Sequence, residues 1–309
     1  MVVAAAHITP RALWFLSAEL TPRGPRLLSA DCQLPQDHGD QEASIASFQH
    51  LLRSWLERLP SPPKVLNIAL SVELAALVHV FPLSMLQSEA RDAAVDAELR
   101  HFLTDYDRHR FSTFVLPSAP TAPEPRYAIA ATYSRSETEV LRTSLPAEAH
   151  AATIVPDLFG LPTLWRYSYP EWDHQYAVIL HVEPPYLDAL LLVARQFAAL
   201  RSRSVETAAP ETLAIDSAHL IAELPLSQPP HSIVACGSAV RPELISALQR
   251  ALAETYPGQV PECRRLNAFR MWLPPAAQRL REYAIRTAHL FWGCVAALLP
   301  WGEEEVLVL

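Results

Sequence analysis

Two seven-residue segments of this chain bring together residue types that can do chemistry. His7-Ile8-Thr9-Pro10-Arg11-Ala12-Leu13 and His181-Val182-Glu183-Pro184-Pro185-Tyr186-Leu187 both read H-[I/V]-x-P-x-x-L, 174 residues apart. Histidine is a common ligand of transition metals. Neither His7 nor His181 has a cysteine or carboxylate pair beside it at ligand spacing, so each is expected to end a strand and hydrogen-bond locally, with no metal bound. His101/His109 and Asp105/Asp107 read as a solvated helix end. No G-x-S-x-G, H-E-x-x-H or P-loop signature occurs. Ser238 follows Gly237 without a histidine and acid at a recognisable spacing, so it is not read as a nucleophile. Seven glycines against 28 prolines, with no Gly-x-Gly or Gly-Gly pair, also weigh against a phosphate-wrapping loop, which needs glycine for close backbone approach.

Composition narrows the class further. The 309 residues are 50% hydrophobic and 19% charged, with net charge −8. That is too apolar for intrinsic disorder, and the chain lacks the basic field that holds nucleic acid or anionic lipid. Cys32, Cys236, Cys263 and Cys294 lie far apart, off zinc-ligand spacing, and read as reduced thiols of a cytoplasmic protein. The first ten residues lack the basic start of a secretory signal, and no apolar run approaches the roughly 20 residues that cross a bilayer.

Periodicity places these segments. Strands are expected at 1–7, 12–18 and 26–32, then an amphipathic helix at 41–59 with Ile45, Phe48, Leu52, Trp55 and Leu59 on one face, then a strand at 65–70. A different block follows. It has a strand at 75–81, a helix to 103 opened by a Ser84-x-x-Gln87 capping box, strands at 111–116 and 127–133 around the Pro-rich 117–125, a helix at 137–144 and a strand at 150–156. A helix and a turn at 157–169 carry several aromatics. Then the first pattern starts again, with strands at 176–182, 186–194 and 197–205, a helix at 211–224, a strand at 232–236, a helix at 242–256, an edge strand at 262–266 and a long buried helix at 280–299. The matching turns at the same point of two similar meanders indicate an internal duplication.

Two halves that each open with a three-strand meander resemble the actin/hexokinase/Hsp70 superfamily. Within it the chain is similar to the PilM family of type IV pilus assembly and to the cytoplasmic part of the type II secretion protein GspL. The resemblance is specific in three stretches: 81–89 with the helix that follows; 150–161, where Asp157 precedes a helix; and 233–239 with 242–253, Asn267-Ala268-Phe269 and the final Ala-rich helix. It implies an α/β fold of two pseudo-symmetric actin-like (ribonuclease H-like) lobes with an inserted α+β subdomain in the first. The expected boundaries are 1–72 plus 150–170 for the first lobe, 73–149 for the insertion and 171–309 for the second lobe, with a reduced helical subdomain near 206–231.

The superfamily handles phosphate with an Asp-x-Gly turn in each lobe. In this chain the matching positions are His7 and Thr9, and His181 and Glu183, each turn followed by a proline that has no N–H to give. A glutamate where phosphate belongs costs about 1–4 kcal/mol at a separation of about 4 Å. The adenosine-contacting Gly-Gly pair is reduced to Gly237 and Ser238. The resemblance therefore implies a degenerate nucleotide site (His7, Thr9, His181, Glu183, Gly237, Ser238), with no cofactor expected and Mg-ATP as the alternative. The implied role is a non-catalytic scaffold at the inner membrane. It would bind the cytoplasmic N-terminal tail of a single-pass, PilN-like partner at an edge strand near His79, Val80 and Phe81, with no nucleic acid partner and no membrane insertion of its own. The alternative is an ATP-dependent or filament-forming protein of the same fold. Trp165, Tyr167, Tyr169 and Trp172 either line a partner groove or pack a junction between the halves. Residues 303–309 either pair with a partner as an edge strand or form a mobile tail.

Overall fold

In the computed structural model, which describes residues 1–34, 48–83, 88–115, 126–143, 152–172, 176–194, 196–206 and 208–299, the first meander is β1 (Val2–Ile8), β2 (Leu13–Thr21) and β3 (Gly24–Gln33). After α1 (Gln49–Glu57), β4 (Val65–Leu70) returns parallel to β1. The chain then leaves this sheet for β5 (Leu77–Leu83), α2 (Ser88–Phe102), β6 (His109–Val115), β7 (Arg126–Ser134) and α3 (Arg135–Thr143). It comes back as β8 (Ala152–Pro156), parallel to β4, followed by α4 (Asp157–Ser168). The second run is β9 (Tyr176–Glu183), β10 (Tyr186–Val193), β11 (Gln196–Ser204), α5 (Pro210–Ala222), β12 (Ser232–Cys236), α6 (Pro242–Thr255), β13 (Glu262–Arg265), α7 (Gln278–Thr287) and α8 (Trp292–Leu298).

The two five-stranded sheets have the same order, β3-β2-β1-β4-β8 and β11-β10-β9-β12-β13, with the same strand directions. Each central strand is apolar nearly throughout because both of its faces are covered. All residues of β1 after Val2, and all of β9 after Tyr176, are buried. The turns match in register: Ile8 pairs with Leu13 and Val182 with Leu187, the second and seventh positions of the repeated segment. A β-bulge follows in each sheet, between Ser17 and Ala18 and between Leu191 and Leu192, again 174 residues apart. A bulge changes the local twist and bends the strand, so the two copies share a distortion as well as an order.

The described residues form two compact units: Met1–Thr163 with Met271–Ala284 and Gly293–Leu309, and Leu164–Arg270 with Ile285–Trp292. In the first unit, the α1 side chains Leu52, Trp55 and Leu56 are buried, and Trp55 stacks on Phe15 at 4.6 Å. In the second, α5 and α6 cover the face of the sheet that carries Val178, Leu180, Val182, Leu187 and Ala189. Both helices place a proline in their first turn, where a missing N–H costs nothing. Between β4 and β8 the chain builds a separate antiparallel sheet, β5-β7-β6, whose small core is Phe81, Val95, Leu99 and Ala130.

Two expectations need correction. The helix read at 280–299 is two helices, α7 and α8, broken at 288–291. There the His289 carbonyl turns away to accept from Gly237 N at 3.3 Å, while Leu290 N closes on Thr287 O. Far from being buried, α7 buries only Ala284. The sequence boundary also gave all of 171–309 to one half, whereas 271–284 and the described residues from 293 onward belong with the first unit. Leu273 N donates to Pro25 O at 2.8 Å beside β3, Cys294 Sγ donates to Trp14 O at 3.3 Å, and Asn67 Nδ2 donates to Ala297 O at 2.6 Å. Residues 41–47, the Ser84–Gln87 box, 117–125 and 303–309 lie outside the described residues.

Leu99 is fully buried in the insertion core, so Leu99→Ala is expected to cost about 2–5 kcal/mol. Hydrogen exchange should show the loss concentrated in β5, β6 and β7, with β1 and β9 unchanged.

Candidate functional site

His7 lies one residue before the end of β1, and its ring reaches the first residue of α4. Asp157 Oδ2 accepts from His7 Nε2 at 3.0 Å, with the two residues 1% and 2% exposed. The other oxygen, Oδ1, accepts from Val72 N at 3.1 Å and Leu158 N at 2.7 Å. One carboxylate therefore ties together the end of β1, the segment after β4 and the start of α4. Gly293 of α8 sits so close to the imidazole that an added Cβ would lie 2.4 Å from His7 Nδ1. The turn beyond His7 closes on Thr9. Thr9 N donates to Ala12 O at 3.0 Å, and Thr9 Oγ1 accepts from Ala12 N at 3.0 Å and Arg11 N at 3.4 Å.

In the second unit His181 meets a carboxylate in another way. Asp188, its cross-strand pair on β10, accepts from His181 Nδ1 at 2.9 Å through Oδ2 and from Ser202 Oγ of β11 at 2.6 Å through Oδ1. The Trp292 ring packs edge-on to the imidazole with centroids 5.1 Å apart. Two residues on, Glu183 turns to the loop after β12. Its Oε2 accepts from Ser238 N at 2.7 Å and its Oε1 from Ser238 Oγ at 2.6 Å. Gly237 makes this approach possible. Its φ of +109° is in the left-handed region, and a Cβ there would lie 2.4 Å from Val182 O. Ala239 N donates to that same Val182 oxygen at 3.3 Å.

The structure thus places His7 with Thr9, and Glu183 with Gly237 and Ser238. The two histidine partners escaped the sequence reading. Asp157 is 150 residues from His7, and Asp188 carried no motif. The only signal for Asp188 was the two-residue hairpin, which sets it opposite His181 in register.

A magnesium nucleotide needs carboxylate oxygens for the ion and N–H groups for the phosphates. The residues at these turns do not fit one. The Asp157 and Asp188 oxygens are taken up by His7, Val72 N, Leu158 N, His181 and Ser202, the Glu183 oxygens are both engaged by Ser238, and the N–H groups of Thr9, Arg11 and Ala12 serve their own turn. Among the described residues no group of three or more His, Cys, Asp or Glu is assembled for a metal.

At the insertion, His79, Val80 and Phe81 lie on β5, which has a strand partner on one side only among the described residues. Their side chains divide. Phe81 is 4% exposed in the insertion core, and His79 meets Glu98 of α2 at 3.2 Å and the Phe102 ring at 4.2 Å. Val80 faces outward at 51% exposure, beside Val78 at 42%. Of the aromatics at 165–172, Trp165 and Tyr169 are buried inside the second unit, Tyr169 stacks on Trp172, and Arg270 and Arg264 lie over the Tyr169 and Trp172 rings.

Asp157→Ala should cost roughly 2–4 kcal/mol in urea unfolding, because it strands the buried Leu158 N–H, the part-buried Val72 N–H and a buried imidazole at once. Asp157→Asn, which keeps an acceptor, should cost less. A second prediction concerns His289, under the Gly237 loop. Burial, then the charge of Arg265, push its ring down to about 4, against a hydrogen bond with the Val240 backbone. The folded protein keeps the ring neutral while the unfolded chain protonates it near 6.5. Stability should therefore be full above about pH 6.5 and fall by up to about 3 kcal/mol toward pH 4, and His289→Gln should flatten that slope in denaturation series.

No family model and no curated protein matches this sequence. Solved structures do. The chain superposes on one from the "PilM-PilN type IV pilus biogenesis complex" with a TM-score of 0.72 at 12% identity, covering 96% of this chain and 97% of that one. It also superposes on a Bacteroides thetaiotaomicron protein of actin-like ATPase fold and unknown function, with a TM-score of 0.54 at 12% identity, covering 86% and 91%. With two sheets of one topology, a matched pair of turns and an insertion between β4 and β8, the chain has the actin-like ATPase fold.

Proposed function

We propose that this protein is a non-catalytic scaffold of a type IV pilus or type II secretion-like inner-membrane assembly. It binds the short cytoplasmic tail of a bitopic, PilN-like partner and works at the cytoplasmic face of the membrane through that partner. The observation that carries the proposal is the end-to-end likeness to a structure from the PilM-PilN complex. Coverage of 96% leaves no room for the insertion to fall outside it. No helix among the described residues is long and apolar enough to cross a membrane, which accords with attachment through another protein. The side chains that close the His7–Thr9 and Glu183–Ser238 turns support the non-catalytic part.

The tail docks by adding a strand to the outer edge of β5. Main-chain hydrogen bonds give affinity there, and the outward Val78 and Val80 give it an apolar footing. Titration with the N-terminal tail of the bitopic protein encoded beside this one is expected to saturate below about 100 μM, with Val80→Asp weakening it at least tenfold while the melting temperature stays put. No binding at that concentration overturns the adaptor role. Mg-ATP is expected to leave thermal stability unchanged. A ligand at about 100 times its Kd would add about 2.7 kcal/mol, and a shift of that size would favour an ATP-binding protein of the same fold.

A further inference from the structure

Glu183 is 8% exposed, and among the described residues no cation pairs with it. Its two oxygens are held only by neutral donors, both from one residue, at 2.7 and 2.6 Å from Ser238 N and Oγ. Those are the lengths of hydrogen bonds to an ionised acceptor. An N–H and an O–H presented side by side next to a glycine in the left-handed region make a small anion-binding concavity, and a carboxylate buried this far is tolerated only when such donors surround it.

The concavity does not depend on its occupant for its shape. Ala239 N is anchored on Val182 O, Gly237 N on His289 O and Val240 N on Gly237 O. The missing Cβ of Gly237 lets the turn lie against the Val182 backbone. Cutting back Glu183 therefore leaves the turn in place and its two donors without a partner.

We propose that the Gly237–Ser238 turn is an oxyanion site and that its resident ligand is the protein's own Glu183 carboxylate. The site is closed to outside anions in the wild type and opens to a small carboxylate or phosphate when that side chain is removed. The inference stands whether or not the adaptor role holds, since it concerns residues of the second unit alone.

The test is thermal unfolding of the wild type, Glu183→Ala and Glu183→Gln in sodium chloride, acetate and phosphate at matched ionic strength. Glu183→Ala is expected to melt several degrees below the wild type in chloride and to recover part of that loss in acetate or phosphate. The salt that acts shows which geometry the turn accepts. The wild type, whose site is full, and Glu183→Gln, whose amide fills the space, should respond to neither anion beyond chloride. An equal response from all three proteins, or from none, overturns the proposal. A wild-type measurement guards against Glu183→Ala failing to fold. The Ser238 amide proton should resonate well downfield of the ordinary amide range and move upfield in Glu183→Gln. An ordinary wild-type shift overturns the proposal as well.

Discussion

A buried N–H needs an acceptor, and where β1 and β9 end the acceptors belong to the chain itself. Thr9 takes the amides of its own turn, Asp157 takes Val72, Leu158 and the His7 ring, and Glu183 takes Ser238. Held this way by side chains, the turns tie strands and helices together within each unit.

The same joints root the insertion. Asp157 holds Val72 just past β4, and the buried Tyr133 hydroxyl, at the far end of β7, donates to the Leu70 and Ser71 carbonyls at 3.3 and 3.4 Å. Burial, then the nearby Asp157 charge, hold that phenol well above its usual range, so it stays a donor. The strand that leaves the first sheet and the strand that returns from the insertion are thus pinned at one point, and the β5 edge is carried on a fixed base.

Much of this was legible in the residues because short-range patterns dictate it. Short, largely apolar stretches marked β4 and β12 to the residue, and the repeated His-x-x-Pro segment located the two hairpins. What was illegible is long-range. Nothing near His7 announces Asp157, since the contact depends on the crossover that brings the first residue of α4 to the end of β1. The bulges at Ser17 and Leu191 leave no composition mark, because the extra residues, Leu28 and Ala198, are of types found throughout this chain and carry no turn chemistry. The misread helix at 280–299 shows the limit of periodicity. Its apolar content was real, but the backbone breaks to lend the His289 carbonyl to Gly237, a partner far away in sequence.

Residues 293–297 touch the first sheet directly, at the His7 ring, at the Trp14 carbonyl and at Asn67. A chain made from its N-terminus cannot place them until the second meander and its helices have followed the first sheet out. The first sheet must therefore wait, unsealed, while that intervening stretch is made. This gives chaperones an interval in which to hold it, and it ties the maturation of the first sheet to synthesis of the second.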